Sequence, residues 1–107
     1  MRKRAGLARA LTLLHGDIAR PWNLDDLSRE VGLSRSALAD HFIHLIGTPP
    51  MNYLTNWRMQ VTAQKLTHTN ATLAQIAVMV GYQSEAAFSR AFKKSFGTAP
   101  ATWRRSG

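Results

Sequence analysis

The chain contains one sequence pattern twice, and this duplication constrains its fold more than any other feature. Residues 24–50 and 73–100 share the pattern, with matching positions 49 residues apart before a glycine and 50 residues apart after it. Each copy predicts a short helix, a glycine turn, a longer helix and a Gly-Thr-x-Pro stop. The repeated residues are Leu24, Val31, Gly32, Phe42, Gly47, Thr48 and Pro50, which recur as Leu73, Val80, Gly81, Phe92, Gly97, Thr98 and Pro100.

Length and composition are those of one intracellular globular domain. A chain of 107 residues with 45% hydrophobic residues is long enough for a modest core. It has no cysteine, which excludes disulfides and thiolate metal sites and favours a cytoplasmic setting. Its longest apolar runs fall far short of the roughly 20 residues that span a bilayer. The basic start is not followed by the apolar stretch of a signal peptide. We therefore expect no membrane association.

The charge is strongly positive and unevenly distributed. A formal net charge of +8 and an isoelectric point of about 11.2 favour a polyanionic partner. Residues 5–50 carry four basic and five acidic side chains, whereas residues 51–107 carry seven basic side chains and Glu85 alone. The remaining positive charges belong to Arg2, Lys3 and Arg4. The two copies therefore share a frame but differ in electrostatics.

Hydrophobic periodicity predicts an all-α fold of about seven helices and no strand. The predicted N-caps are Asn23, Ser34, Thr72 and Ser84, with Thr72 and Gln75 forming a capping box. The residues predicted to face the core are Leu7, Leu11, Leu14, Ile18, Leu24, Leu27, Val31, Leu38, Phe42, Leu45, Ile76, Ala77, Val80, Phe88, Phe92 and Phe96.

The fourth helix is predicted to connect the two copies. It runs from Pro50 to about Thr67 and has two apolar stripes, which indicates packing on two sides. Its length of about 26 Å suits a connector that holds two recognition helices about one DNA turn, roughly 34 Å, apart. We expect a basic tail over residues 1–6, a first subdomain over 7–49, the connector helix over 50–67 and a second subdomain over 68–105.

Two helices joined by a glycine turn have the form of a DNA-binding helix-turn-helix. The second copy, VGYQSEAAFSRAFKKSFGTAPATWRR, and the first, LSREVGLSRSALADHFIHLIGTPPMNYLTNWRM, resemble the DNA-binding domain of AraC/XylS-type bacterial transcription regulators. The resemblance covers the chain from Leu7 to Arg105. It implies a regulator that binds double-stranded DNA through two unequal helix-turn-helix units, in the cytoplasm and associated with the nucleoid.

The resemblance also implies which residues face DNA, and their alternation with the inward leucine and phenylalanines selects the same positions. Arg90 is the best candidate for base reading, because a guanidinium can bond guanine O6 and N7 together. The full set of base-contact candidates is Arg35, Ser36, Ala39, Asp40, Glu85, Ala86, Ser89 and Arg90. The phosphate-contact candidates are Ser34, Ser84, Lys93 and Lys94.

Asp40 departs from the family pattern, because family members often carry an arginine or another polar donor at this position. Its counterpart in the second copy is Arg90. A carboxylate near phosphates is repelled and needs a compensating partner. One interpretation is that Asp40 accepts a hydrogen bond from cytosine N4 in the major groove. The favoured interpretation is that Asp40 pairs with a nearby cation such as Arg35 or Arg29 and contacts no base. The resemblance implies that recognition helices at about residues 35–45 and 85–95 enter successive major grooves, and we expect the second of them to supply most of the affinity.

The other chemically suggestive residues have simpler interpretations. His41 and His44 lie three apart without a third ligand at motif spacing, so we expect no metal or other cofactor. No nucleophile elbow, phosphate loop or metalloprotease motif occurs, so no enzymatic activity is expected. Arg58 is left open between tying the connector to a subdomain and touching the DNA backbone. The remaining expectations are loose solubilising charge at Arg104 and Arg105, and packing roles for Trp57 and Trp103.

An alternative function stays open at this point. The same fold can serve as a protein-interaction module that contacts RNA polymerase or a partner regulator and binds DNA weakly. RNA polymerase is an expected partner on the first interpretation as well. Family regulators usually carry a separate effector or dimerisation domain, often N-terminal. This chain is therefore either a naturally short regulator controlled by its abundance or, as we expect, the C-terminal piece of a longer protein.

Overall fold

The chain folds into seven α-helices, as the periodicity predicts. The structure is a computed structural model that describes residues 2–106, and the side chains of residues 4–106. No strand occurs within these residues, and the predicted all-α class is confirmed. The helices are α1 (Arg2–Gly16), α2 (Leu24–Val31), α3 (Arg35–Leu45), α4 (Pro50–His68), α5 (Leu73–Met79), α6 (Glu85–Phe96) and α7 (Pro100–Ser106).

The described residues divide into two compact units, with the boundary between Leu54 and Thr55. The boundary lies inside α4, so this helix contributes its first turn to one unit and its remainder to the other. Within residues 2–106, no helix combines the length and apolar character that a membrane crossing requires.

The first unit is held together by a core drawn from all of its helices. The Trp22 indole Nε1 donates to the Asp17 carbonyl oxygen at 3.0 Å, which secures the loop between α1 and α2. The apolar faces of α2 and α3 then close over α1, because burial of apolar side chains is the dominant stabilising term. The core residues are Leu7, Ala10, Leu14, Trp22, Leu27, Leu38, Phe42 and Leu54.

The structural repeat is longer than the duplicated sequence pattern. In α1, Leu7, Ala10 and Leu14 are buried, and at the same spacing in α4 the buried residues are Met59, Thr62 and Leu66. The aromatic packing also repeats. The Phe42 and Tyr53 ring centroids are 5.8 Å apart in an edge-on arrangement, and those of Phe92 and Trp103 are 5.7 Å apart in the same way. Each unit is therefore a four-helix repeat, and α4 serves as the last helix of one and the first helix of the next.

Side-chain and backbone caps delimit the short helices. The Asn23 side chain accepts from the Asp26 amide at 2.7 Å, and Thr72 and Gln75 form the predicted capping box. Gly32 and Gly97 adopt the left-handed conformation (φ of 72° and 78°) that ends α2 and α6 without a Cβ clash.

The bounds of two helices and one core position differ from the sequence expectations. Met1 lies outside the described residues, but α1 begins at Arg2, so residues 2–6 are helical and not a separate tail. The connector helix ends at His68, one residue beyond the expected end. Leu45 was expected to face the core, yet it is 51% exposed, because α3 ends there and its last turn is left uncovered.

Arg104 holds the end of α4, contrary to the expected role as loose charge. Its Nε donates to the Leu66 carbonyl oxygen at 3.0 Å, and its Nη2 donates to the Thr69 carbonyl oxygen at 3.2 Å. Carbonyls at a helix C-terminus lack partners within the helix and carry partial negative charge, so a guanidinium stabilises them. Arg105 reaches only the Thr102 hydroxyl, at 3.3 Å.

We predict that Arg104→Ala lowers the free energy of unfolding by about 1–2 kcal/mol, because it removes two charge-assisted hydrogen bonds at once. Urea denaturation followed by far-ultraviolet circular dichroism measures the change. Arg105→Ala removes the same charge from the neighbouring position and should change stability by less than about 0.5 kcal/mol. Equal effects of the two substitutions would show that the contacts to α4 contribute nothing.

Candidate nucleic-acid interface

The candidate residues form one surface in each unit, on the side of a helix that faces away from the core. On α3, Leu38 and Phe42 are fully buried and fix the orientation of the helix. On α6, Phe88 and Phe92 do the same. The α3 surface consists of Ser34, Arg35, Ser36, Ala39 and Asp40, and the α6 surface of Ser84, Glu85, Ala86, Ser89, Arg90, Lys93 and Lys94.

Almost all of these side chains are accessible. Ala39 and Ser89 are half-buried, and every other residue of the two surfaces is exposed. The half-buried pair occupies equivalent positions, 50 residues apart. Each helix therefore presents an exposed surface that combines polar side chains with small residues, and the small residues allow another molecule to approach the helix backbone closely.

The N-termini of both helices are capped in the same way. The Ser34 Oγ accepts from the Ala37 amide at 3.1 Å, and the Ser84 Oγ accepts from the Ala87 amide at 3.1 Å. Each hydroxyl hydrogen is still available as a donor, and the positive end of each helix macrodipole points outward there. Both features suit an anion such as a phosphate.

The two surfaces differ in how their charges are used. On the α3 surface, the Arg35 Nε lies 3.3 Å from Asp25 Oδ1, so this cation is neutralised within the protein. On the α6 surface, no carboxylate among the described residues pairs with Arg90, Lys93 or Lys94. The positive field of the second unit is therefore directed outward.

The expected pairing of Asp40 with Arg35 or Arg29 is wrong. Arg35 is bound to Asp25, and the Arg29 Nη2 lies 2.5 Å from Asp26 Oδ1, three residues away on the same helix. Helical spacing explains the Arg29–Asp26 pair, because side chains three residues apart on one helix are already neighbours. Within residues 4–106 the Asp40 carboxylate has no cationic partner.

The two histidines beside Asp40 differ in their surroundings. The His44 Nδ1 lies 3.0 Å from the Asp40 backbone oxygen, which turns this ring toward its own helix. The His41 Nδ1 is buried without a hydrogen-bond partner among the described residues. No group of three or more potential ligands in the described part of the chain is placed to hold a metal ion.

Arg58 ties the connector helix to the turn of the second unit, which is one of the two roles the sequence left open. Its guanidinium lies 5.8 Å from the centroid of the Tyr82 ring, directly after the Gly81 turn. Burial lowers the pKa of Arg58 and raises that of Tyr82, and in each case the partner opposes the shift. The sequence contained no pattern that could indicate this contact, because the two residues are distant along the chain.

The expected packing roles of the tryptophans are met in different degrees. Trp103 packs against Phe92 and Phe96, with the Phe96 ring centroid 4.8 Å away. Trp57 is half-buried on α4. Phe96 itself is half-buried and stacks on Phe92 at 4.6 Å. These aromatic rings brace the C-terminal end of α6 and are not presented as a platform for bases.

Two helix-turn-helix units, each with a buried aromatic face and an exposed polar face, define the class of paired helix-turn-helix proteins. A family model described as a helix-turn-helix domain matches residues 27–106. The chain belongs to the AraC-type helix-turn-helix family, as its sequence motifs indicate.

Individual relatives agree with this assignment. The chain is 48% identical over 99 residues to a putative AraC-like transcription regulator of Streptomyces lividans, covering 92% of this chain and 33% of that protein. It is similar in structure to the C-terminal domain of AraT, a response regulator of Geobacillus stearothermophilus, with a TM-score of 0.91, 27% identity and coverage of 95% and 85% of the two chains.

A transcriptional regulator of Chromobacterium violaceum, described as AraC-type DNA-binding domain-containing, matches with a TM-score of 0.87 and 29% identity. The match covers 96% of this chain and 92% of that one. The chain spans about a third of the length of the curated relatives it matches.

Proposed function

We propose that this chain is the sequence-specific, double-stranded-DNA-binding domain of a transcription regulator, with α3 and α6 as its two recognition helices. The observation that carries the proposal is the α6 surface. It places Arg90, Lys93 and Lys94 on the exposed side of a helix whose other side is fixed by buried phenylalanines, and it leaves these cations without a carboxylate partner among the described residues. Such a surface attracts a polyanion and fits a major groove.

The α6 residues divide by distance from the capped N-terminus. Glu85, Ala86, Ser89 and Arg90 lie on the first two turns of α6, the part of a recognition helix that contacts base edges. Lys93 and Lys94 lie on the last turn and suit the phosphate backbone, as the Ser84 hydroxyl does at the other end. In this arrangement, Arg90 reads guanine and the lysines set the register.

The α3 surface is proposed as the weaker reader. Its Arg35 must leave Asp25 to reach DNA, although an exposed pair of this kind is worth only about 0–1 kcal/mol. The positions of Lys93 and Lys94 are occupied in α3 by Ile43 and His44, so its last turn offers fewer phosphate contacts. Two unequal readers in one chain suit a non-palindromic site that is bound without a symmetric dimer.

A base-reading role is proposed for Asp40 as well. Because no cation among residues 4–106 pairs with it, the carboxylate is an acceptor on the exposed side of α3. Cytosine N4 is the donor that the major groove offers to such an acceptor. We propose that Asp40 selects a C·G pair and repels phosphates at the same time, which gives specificity at some cost in affinity.

The first prediction concerns Arg90. On a duplex selected from a random library, Arg90→Ala should weaken binding by about 1–3 kcal/mol, or roughly 5- to 150-fold, because a bidentate contact to guanine is lost. Arg35→Ala removes the same charge from the α3 surface and should cost clearly less. Fluorescence anisotropy measures both. Equal losses would contradict the assignment of α6 as the stronger reader.

The second prediction concerns salt. The logarithm of the binding constant should fall steeply with the logarithm of salt concentration. Lys93→Ala/Lys94→Ala should reduce the steepness by about 1.8, since each phosphate contact contributes roughly 0.9. A flat slope for the unmodified chain would favour the alternative interaction module.

The third prediction concerns Asp40. Asp40→Ala should abolish selection of one C·G pair, worth about 1–3 kcal/mol, and should strengthen binding to unselected DNA because a repulsive charge is removed. Repeating the random-library selection with the variant checks both effects. Glu30→Ala removes an equally exposed carboxylate from α2 and should leave base preference unchanged. Unchanged selection by the Asp40 variant would exclude a base contact.

Several parts of the functional interpretation stay predictions. Contact with RNA polymerase, an associated effector or dimerisation domain, a cytoplasmic and nucleoid location, and the lack of enzymatic activity all depend on the family relationship. Co-purification from a bacterial host with a tagged chain, with and without its DNA site, tests the first of these.

A further inference from the structure

An apolar surface on α5 is unused by the proposed DNA contacts. Val78 is 69% exposed and Met79 is 45% exposed, on a helix whose Ile76 and Ala77 are buried. Together with Ala74 and Gln75, they line a shallow depression. Gln75 is already engaged, because its side chain accepts from the Thr72 amide at 2.8 Å in the capping box. The α5 patch is therefore defined by Ala74, Val78 and Met79.

The first unit provides an internal control for this patch. At the equivalent positions of α2, 49 residues earlier, the chain has Asp25, Arg29 and Glu30 in place of Ala74, Val78 and Met79. There Asp25 pairs with Arg35, and Arg29 pairs with Asp26. The buried positions of the two helices remain equivalent, since Leu27 and Ser28 correspond to Ile76 and Ala77. The fold thus accepts a fully charged surface at this place, and the apolar side chains of α5 are not required to build the unit.

The surroundings of the patch determine which partner fits. No Asp, Glu, Lys, Arg or His occurs between His68 and Glu85, so the patch lies in an uncharged stretch of the sequence. The unit that contains it is strongly basic, with Glu85 as its one carboxylate side chain against seven Lys and Arg side chains in residues 55–107. A complementary partner is apolar at the centre and acidic around it.

We infer that the α5 patch binds a short amphipathic helix of a partner protein, with apolar residues at its centre and acidic residues flanking them. Helices of this kind place side chains at i, i+3, i+4 and i+7 into an apolar surface. The patch extends over two turns of α5, which matches such a short helix. A second copy of the chain is a poorer occupant, because joining two α5 patches brings two strongly basic units together.

The inference goes beyond the proposed DNA binding and does not depend on it. The patch residues belong to α5, whereas the proposed contacts belong to α3 and α6. Substitution of the patch by the residues of the first copy, Val78→Arg/Met79→Glu, leaves the net charge unchanged and uses a surface that the same fold already carries. DNA affinity should therefore stay within about twofold of the unmodified chain.

The test is a titration of the methyl signals of Val78 and Met79 in the full 107-residue chain. The probe is a helical peptide of about 14 residues with leucines at i, i+3, i+4 and i+7 and flanking glutamates. We expect saturable shifts of both methyl groups with sub-millimolar affinity. A matched peptide with lysine in place of every glutamate should bind at least about tenfold more weakly.

Two variants distinguish binding at the α5 patch from nonspecific attraction of the acidic peptide to the basic chain. Gln64→Arg/Thr67→Glu places the same charges on an exposed part of α4 and should bind the acidic peptide normally. The Val78→Arg/Met79→Glu variant should lose at least about tenfold in affinity while retaining its circular dichroism spectrum and melting temperature.

Three results would overturn the inference. One is the absence of saturable shifts at Val78 and Met79 with the acidic peptide, and another is equal binding of the lysine peptide. The third is a dimer in sedimentation velocity that disappears in the Val78→Arg/Met79→Glu variant, which would assign the patch to a second copy. If the chain binds the peptide but no DNA duplex, the proposed function is wrong and the inference about the α5 patch still holds.

Discussion

The burial of two apolar side chains on one side of both α3 and α6 is the constraint on which the rest of the structure depends. Leu38 with Phe42, and Phe88 with Phe92, are fully buried. Because helical side chains four residues apart lie on the same face, these pairs leave the opposite face to solvent. An aromatic ring from the following helix, Tyr53 or Trp103, packs edge-on against each phenylalanine. The exposed candidate residues owe their orientation to this packing.

The two copies share their pattern of buried residues, but their exposed surfaces differ at three places. The proposed base-contact position holds Asp40 in one copy and Arg90 in the other. The last turn of the helix after the glycine turn holds Ile43 and His44 in one copy and two lysines in the other. The exposed side of the preceding helix is charged in α2 and apolar in α5. Exposed positions can diverge in this way because most surface substitutions cost little stability. The repeat therefore carries different exposed surfaces on equivalent cores.

Much of the fold was accessible from sequence patterns, and the errors have physical causes. The period of apolar residues, the capping residues and the glycines predicted seven helices, and the capping box at Thr72 and Gln75 formed as expected. Leu45 was wrongly placed in the core, because periodicity does not reveal where a neighbouring element stops covering a helix. The pairing of Asp40 was wrong for a related reason. Arg29 pairs with Asp26 on the same helix, and Arg35 of α3 pairs with Asp25 of α2, so neither arginine pairs with Asp40. The roles of the candidate DNA-facing residues stay predictions.

By itself, the sequence determined the helical class, the duplication, the family and the two helices that are candidates for DNA recognition. All of these depend on local periodicity and local backbone preferences, which neighbouring residues encode. Only the tertiary structure decided the partners of individual side chains. It placed Arg104 on the carbonyls at the end of α4, Arg58 over Tyr82 and Arg35 beside Asp25. It also left the cations of α6 and the apolar side chains of α5 exposed. These outcomes depend on residues that are distant along the chain and meet only after the helices pack.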